Sequence, residues 1–240
     1  MNQKTLQFVF PKTVPVLVGY LFMGIAFGLL LNHIGYSCLW AFFISLTVFS
    51  GTLQFLLITF LGGGFSLLTV ALMTLFINGR YMFYGLSFLD SFKRMGAVYP
   101  YMIHALTDET YSLLCAVDGR CPNGISEARA MQAIAVLDHL YWIAGCVLGA
   151  AAGSLISFDI TGVDFAMTAL FVVVVIDQWR DAKNDRPLSG GHLAAAVGAV
   201  CGAAALLIFK ADGFILPALA LTTAALVVLR PVIEKREARA

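Results

Sequence analysis

The chain has 240 residues, 60% of them hydrophobic and only 12% charged, with a mean hydropathy of +0.87 and a formal net charge of +1. A soluble domain carries about 45–50% apolar and about 25% charged residues, so this chain has too few charges to clothe a water-facing surface and the bilayer is its expected solvent. The near-zero net charge gives no electrostatic argument for nucleic acid or an acidic partner.

The N-terminal stretch MNQKTLQFVFPKTVP places Lys4 and Lys12 before the first apolar run. No A-x-A-like cleavage site follows that run, so residues 13–34 are expected to stay as a first span. A crossing needs about 20 apolar residues, and further runs lie at 38–60, 65–89, 131–156, 164–179, 190–209 and 213–230. An eighth candidate, VYPYMIHALTDETYSLLCAV (98–117), is apolar at both ends and carries Asp108 and Glu109 at its centre. The expected fold is all-α, a polytopic transmembrane bundle of seven or eight helices, some interrupted at polar breaks. One integral membrane domain is expected over 1–240. Linkers are short except for 90–130, where DGRCPNG (118–124) is a plain turn signal.

Lys and Arg concentrate on the cytoplasmic side of membrane proteins. Eight helices with the N-terminus inside and seven with it outside give the same split, because Lys4 and Lys12 simply exchange sides with Lys93 and Arg94. The rule therefore leaves the span count and the N-terminal side open. In both topologies 180–186 and the C-terminal RPVIEKREARA are cytoplasmic.

Two apolar runs contain polar interruptions. VFSGTLQFLL (48–57) carries Ser50, Gly51, Thr52 and Gln54, and FINGRYMFYG (76–85) carries Asn78, Gly79 and Arg80. An Arg at the bilayer centre costs roughly 2.5–3.5 kcal/mol on insertion scales, so it faces protein or water and has a partner. In NGRY the Gly weakens the helix and the Asn can bond freed backbone groups, so a break is expected there too. Broken helices bind charged substrates in transporters, half-helix N-termini attracting carboxylates and carbonyl ends attracting cations. Arg80 can hold a carboxylate with a two-pronged contact. The competing reading makes Arg80 an anchor that snorkels to the interface at a helix end. Gln54 likewise reads either as part of a substrate path or as an interhelical hydrogen bond, with Ser50 and Gly51 allowing close helix approach.

LTDETY (106–111) brings two adjacent acids that point about 100° apart on a helix, so they do not form a dyad on one face. Thr107 can cap a helix whose first turn holds Asp108 and Glu109. Alternatively one acid is a proton carrier or the partner of Arg80. His104 lies four residues before Asp108, on the same face if a helix runs there.

Of Asp138 and His139, one is expected inside the bundle, whereas Asp177 is expected at the interface with Trp179 and Arg180. Gly145, Gly149 and Gly153 form a close-packing face, and Gly198 with Gly202 reads the same way. The five cysteines are scattered and read as packing residues, with no disulfide framework, metal site or cofactor. G-x-x-x-x-G-K-[ST], H-E-x-x-H, C-x-x-C and G-x-S-x-G are absent, so no enzyme signature and no nucleotide hydrolysis are read.

FPKTVPVLVGYLFMGIAFGLL, VFSGTLQF, FINGRYMFYGLS and LTDETY, in this order and spacing, resemble the AzlC family, the large subunits of bacterial branched-chain amino acid exporters. The resemblance covers a core of about 8–155, while the C-terminal spans at about 164–230 match only in hydropathy. Thr52 stands where the family commonly has Ala, and Gly79 where it usually has Leu. The resemblance implies a multi-pass transporter of the bacterial cytoplasmic membrane that exports valine, leucine, isoleucine and methionine-like substrates with a small AzlD-like membrane subunit. Ser50, Gly51, Gln54, Asn78, Arg80, Thr107, Asp108 and Glu109 are then the candidate substrate-binding or coupling residues. The other readings are a permease or structural membrane subunit for another small amphipathic substrate.

Overall fold

The computed structural model describes residues 3–119, 121–122, 124–155, 190–213 and 215–237, with Val172 and Ile176. Every regular element among the described residues is helical. Two compact units form, Met1–Ala166 and Met167–Ala240. The expected span 164–179 and the interfacial trio Asp177, Trp179 and Arg180 lie outside the described residues.

The first unit opens with α1 (Gln3–His33) and ends with α8 (Glu127–Leu155). At 1.5 Å per residue both exceed the roughly 30 Å hydrocarbon thickness. Helix α1 begins ten residues before the expected run, taking in Pro11 and Pro15. It lies against α8 along a seam of glycines. A Cβ built on Gly28 would sit 2.2 Å from the Cys146 carbonyl oxygen and 2.5 Å from the Ala150 nitrogen. One on Gly149 would sit 2.2 Å from the Ile25 oxygen, and one on Gly145 2.8 Å from the Tyr20 oxygen. Only hydrogen fits between these backbones. In lipid, where apolar faces gain nothing from leaving water, such close packing drives helix association. The glycine face expected on 145–153 is thus real, and its counterpart is Gly24 and Gly28.

The run 38–60 does not form one helix. It divides into α2 (Cys38–Thr47) and α3 (Gly51–Gly63), with Val48, Phe49 and Ser50 between them in non-helical conformation. The two pieces are about 15 and 20 Å long, so the interruption falls near the middle of the apolar run. Gly64, at φ +63°, closes α3 in the left-handed conformation that glycine alone adopts without strain.

Helix α4 (Leu67–Ser87) corrects an expectation: it runs unbroken through Asn78, Gly79 and Arg80. Ser66 caps it by accepting a hydrogen bond from the Thr69 N–H at 3.1 Å. One mid-helix Gly costs about 1 kcal/mol relative to Ala. Asn78 spends its side chain on Ser50, not on freed backbone, so the helix tolerates the glycine without opening.

After α5 (Leu89–Lys93) and a single 3-10 turn, the run 98–117 also divides, into α6 (Tyr99–His104) and α7 (Asp108–Val117). Neither is long enough to cross a bilayer alone. The eighth candidate is therefore a second broken segment, interrupted at Ala105, Leu106 and Thr107. In the second unit, α9 (Gly190–Gly213) packs on α10 (Ile215–Glu237). Among the described residues, a Cβ on Gly198 would make ordinary contact with Thr222 at 3.8 Å, and one on Gly202 would meet nothing within 4 Å.

Candidate functional site

A helix that ends inside lipid leaves carbonyls that must find donors. The α2 terminus finds them on distant parts of the chain. His139 Nε2–H donates to the Ser45 oxygen at 3.2 Å, while its Nδ1 accepts from the Tyr101 hydroxyl at 3.2 Å, which fixes the tautomer. His104 Nε2–H donates to the Leu46 oxygen at 3.3 Å. Gln54 Nε2 donates to the Val48 oxygen. The Gln54 side-chain oxygen accepts from Trp142 Nε1 at 3.1 Å and from the Cys146 thiol at 3.8 Å. Fully buried Gln54 therefore braces the break against α8. Gly51 lies under the Trp142 ring, where an added Cβ would be 3.3 Å from Cη2.

Beside the break is a cavity of about 300 Å³ lined by Thr47, Val48, Phe49, Ser50, Leu53, Asn78, Tyr81 and His104. That volume is at the lower end of small-ligand sites. Its polar side is organised by Ser50, whose hydroxyl donates to Asn78 Oδ1 at 3.0 Å and lies 3.3 Å from the Tyr81 hydroxyl. Its apolar side is Val48, Phe49 and Leu53.

Arg80 lies within two residues of Asn78 and Tyr81 and reaches across to α7. Its Nη2 is 2.8 Å from Asp108 Oδ2 and donates to Thr52 Oγ1 at 3.5 Å. Tyr84 donates to the other Asp108 oxygen at 2.9 Å. The guanidinium also sits 5.2 Å from the Tyr81 ring centroid. Of the two readings of Arg80, a partnered charge and an interfacial anchor, this geometry is that of the partnered charge. Arg80 Nε is buried and has no hydrogen-bond partner among the described residues.

The two acids of LTDETY diverge, as their spacing requires. Asp108 faces α4, and Glu109 accepts from the Tyr20 hydroxyl of α1 at 2.9 Å. Thr107 caps α7, its hydroxyl oxygen accepting from the Thr110 N–H at 3.2 Å. The same oxygen is 2.6 Å from the Tyr20 hydroxyl and 3.0 Å from Thr110 Oγ1, and Thr110 Oγ1 is 3.0 Å from Asp138 Oδ2.

Two connected groups result. Ser50, Asn78 and Tyr81 line the cavity beside the break, and Arg80, which contacts the Tyr81 ring, joins them to Thr52, Asp108 and Tyr84. Thr107 and Glu109 join Tyr20, Thr110 and Asp138. Sequence reasoning passed over Tyr20, Tyr81, Tyr84 and Thr110, since a hydroxyl in an apolar run carries little cost and little signal. It expected only one of Asp138 and His139 inside, but both are buried. An intramembrane carboxylate is itself a pointer to function, and in Asp138 that signal was legible. No group of His, Cys, Asp and Glu suited to a metal occurs among the described residues.

Residues 15–156 match the model of the AzlC protein family. The chain is 35% identical to the branched-chain amino acid transport protein AzlC of Bacillus subtilis, over 95% of this chain and 86% of that protein. It is 39% identical to an uncharacterized membrane protein of Helicobacter pylori strain 26695, over 96% and 97% of the two chains. It is 29% identical to the inner membrane protein YgaZ of Escherichia coli K12, over 79% and 78%. No solved structure matches the chain. With long apolar helices, a braced break within an apolar run and these relatives, the chain is a membrane transport protein and belongs to the AzlC family.

Proposed function

We propose that this chain exports valine, leucine and isoleucine, and methionine as a related substrate, across the bacterial inner membrane. It works as a gradient-driven secondary transporter with a small AzlD-like membrane subunit, its C-terminus in the cytoplasm. The observation that carries the reading is the Arg80–Asp108 ion pair, whose Arg80 contacts the ring of the cavity-lining Tyr81 at the α2–α3 break. A zwitterionic amino acid needs one fixed cation and one fixed anion a few ångströms apart, with apolar room beside them. Here the substrate carboxylate takes Arg80, whose unpartnered Nε supplies a second donor. The ammonium takes Asp108, and the aliphatic side chain takes Val48, Phe49 and Leu53. The pair holds itself closed when empty and opens to admit a substrate that satisfies both charges. The Bacillus subtilis relative, a branched-chain amino acid transport protein, supports the substrate class. The basic residues Lys235, Arg236 and Arg239 support the C-terminal placement.

The test is efflux from cells loaded with a leucine-containing dipeptide, with and without the co-encoded small membrane protein. A charge-assisted contact is worth about 1.5–3 kcal/mol, so Arg80→Ala is expected to slow export about tenfold to hundredfold at normal membrane levels. Wild-type efflux no faster than that of empty cells, with the small subunit present, refutes the branched-chain exporter reading and returns the chain to another amphipathic substrate or a structural role.

A further inference from the structure

A second polar group lies inside the bundle, apart from the Arg80–Asp108 pair to which substrate is assigned above. Its members form an unbranched chain of oxygens. Glu109 Oε2 is 2.9 Å from the Tyr20 hydroxyl, which is 2.6 Å from Thr107 Oγ1. Thr107 Oγ1 is 3.0 Å from Thr110 Oγ1, which is 3.0 Å from Asp138 Oδ2. All four spacings are hydrogen-bond distances. Tyr20, Thr107, Thr110 and Asp138 are buried, while Glu109 is partly exposed.

Counting protons makes the chain informative. Four contacts need four protons, but the three hydroxyls supply only three. With both carboxylates ionised, one contact sets oxygen against oxygen with nothing between. One added proton satisfies all four, and it can enter at either end. With the proton on Asp138, the acid donates to Thr110, Thr110 to Thr107, Thr107 to Tyr20 and Tyr20 to Glu109. With the proton on Glu109, every one of those bonds reverses. In both arrangements Thr107 Oγ1 still accepts from the Thr110 N–H, so neither state breaks the α7 cap. Asp138 adds a second observation. It is fully buried, and its Oδ1 has no partner among the described residues. A buried carboxylate with a bare oxygen is expensive as an anion.

We propose that Asp138 and Glu109 share one proton across the Thr110–Thr107–Tyr20 hydroxyl chain, and that this relay is the coupling-ion site of the transporter. The assignment of the relay to coupling rests on the transport reading above. In one transfer the O–H bond on Asp138 Oδ2 breaks as a new one forms on Thr110. Each hydroxyl gives up one proton as it gains one, and the proton arrives on Glu109 Oε2. Nothing is oxidised or reduced, and one negative charge moves from Glu109 to Asp138. Partly exposed Glu109 is the port, and Asp138 is the enclosed end. Asp138 adjoins His139, which holds the α2 terminus through Ser45, so a charge formed on Asp138 arises directly beside the break. The other titratable groups facing Asp138 are Tyr20 from α1, Tyr101 from α6, Glu109 from α7 and His139 on its own helix. Arg80 is engaged by Asp108.

The full chain, co-expressed with the small AzlD-like subunit, is tested in two ways. The first is infrared difference spectroscopy of the carboxyl C=O stretch at neutral pH. One protonated carboxyl is expected, absent from the Glu109→Gln/Asp138→Asn double variant. A wild type without that band, or a double variant that keeps it, overturns the proposal whether or not leucine is carried. The second uses membrane vesicles and isotope-labelled leucine, comparing uptake driven by a pH gradient with leucine–leucine counterflow. Tyr20→Phe keeps the ring contacts to Phe49 and Trp142 but removes one link. The ratio of pH-driven uptake to counterflow is expected to fall about a hundredfold, the low end of what losing a positioned proton donor costs. A Tyr20→Phe ratio equal to wild type, or a wild type that shows counterflow without a response to the pH gradient, overturns the relay while leaving the transport reading intact. A wild type with no counterflow refutes the leucine reading, and the infrared band alone then decides whether the proton is there.

Discussion

The glycine seam between α1 and α8 allows a prediction whose size follows from the geometry. A methyl group at residue 28 would lie 2.2 Å from the Cys146 oxygen and 2.5 Å from the Ala150 nitrogen, both backbone atoms that cannot rotate away. Ordinary contact begins near 3.4 Å, so the helices must part by about 1 Å where the added carbon enters, or the backbone must bend. Overpacking of this kind costs about 1–3 kcal/mol. Partially offsetting this, Ala is a better helix former than Gly by up to about 1 kcal/mol. Gly19 on the same helix is the control, because among the described residues a Cβ there meets nothing within 4 Å. Gly28→Ala is therefore expected to lower the melting temperature of the detergent-solubilised chain by several degrees, at about 2–4 °C per kcal/mol. Gly19→Ala should leave it unchanged or raise it slightly. The assay is thermal unfolding followed by size-exclusion chromatography. Equal melting temperatures for the two variants would refute the claim that α1 and α8 meet backbone to backbone. The seam also sets the distance from Tyr20 on α1 to the Thr107–Asp138 group, so Gly28→Ala is expected to impair transport as well.

Replacing Gln54 by Leu strands the Val48 carbonyl and the Trp142 N–H in a buried place, at about 1–3 kcal/mol for each orphaned group. The expected result is a clear fall in melting temperature, and a Gln54→Leu protein as stable as wild type would refute the bracing role. The Arg80–Asp108 pair is assigned to substrate binding, so Arg80→Ala and Asp108→Asn should lower export far more than they lower the melting temperature, and parallel melting and efflux measurements separate the two effects. Removing the His139 ring strands the Ser45 carbonyl. His139→Ala should therefore destabilise more than His104→Ala, whose ring is exposed, and the reverse order in a melting assay would contradict the assigned carbonyl partners. Cys146 is buried, so a maleimide should label it only after denaturation, as mass spectrometry of the labelled peptides would report.

Hydropathy determined the solvent, the helical class and the positions of the long helices, because a backbone in lipid must satisfy itself and a helix does so locally. It also singled out Arg80 and the LTDETY acids, since a charge in an apolar run needs a reason. Which break is real was a tertiary matter. Both SGTLQ and NGRY contain a glycine and an amide, and the same local rules apply to each. The α2–α3 interruption persists because donors from 58 and 94 residues away, His104 and His139, cover its carbonyls. Helix α4 stays whole because Asn78 is engaged by Ser50 instead of by its own backbone. The partner of Arg80, the divergence of Asp108 and Glu109, and the link from Tyr20 to Asp138 also required the fold. Each joins residues at least 24 positions apart, and no periodicity within one helix encodes a contact made between helices.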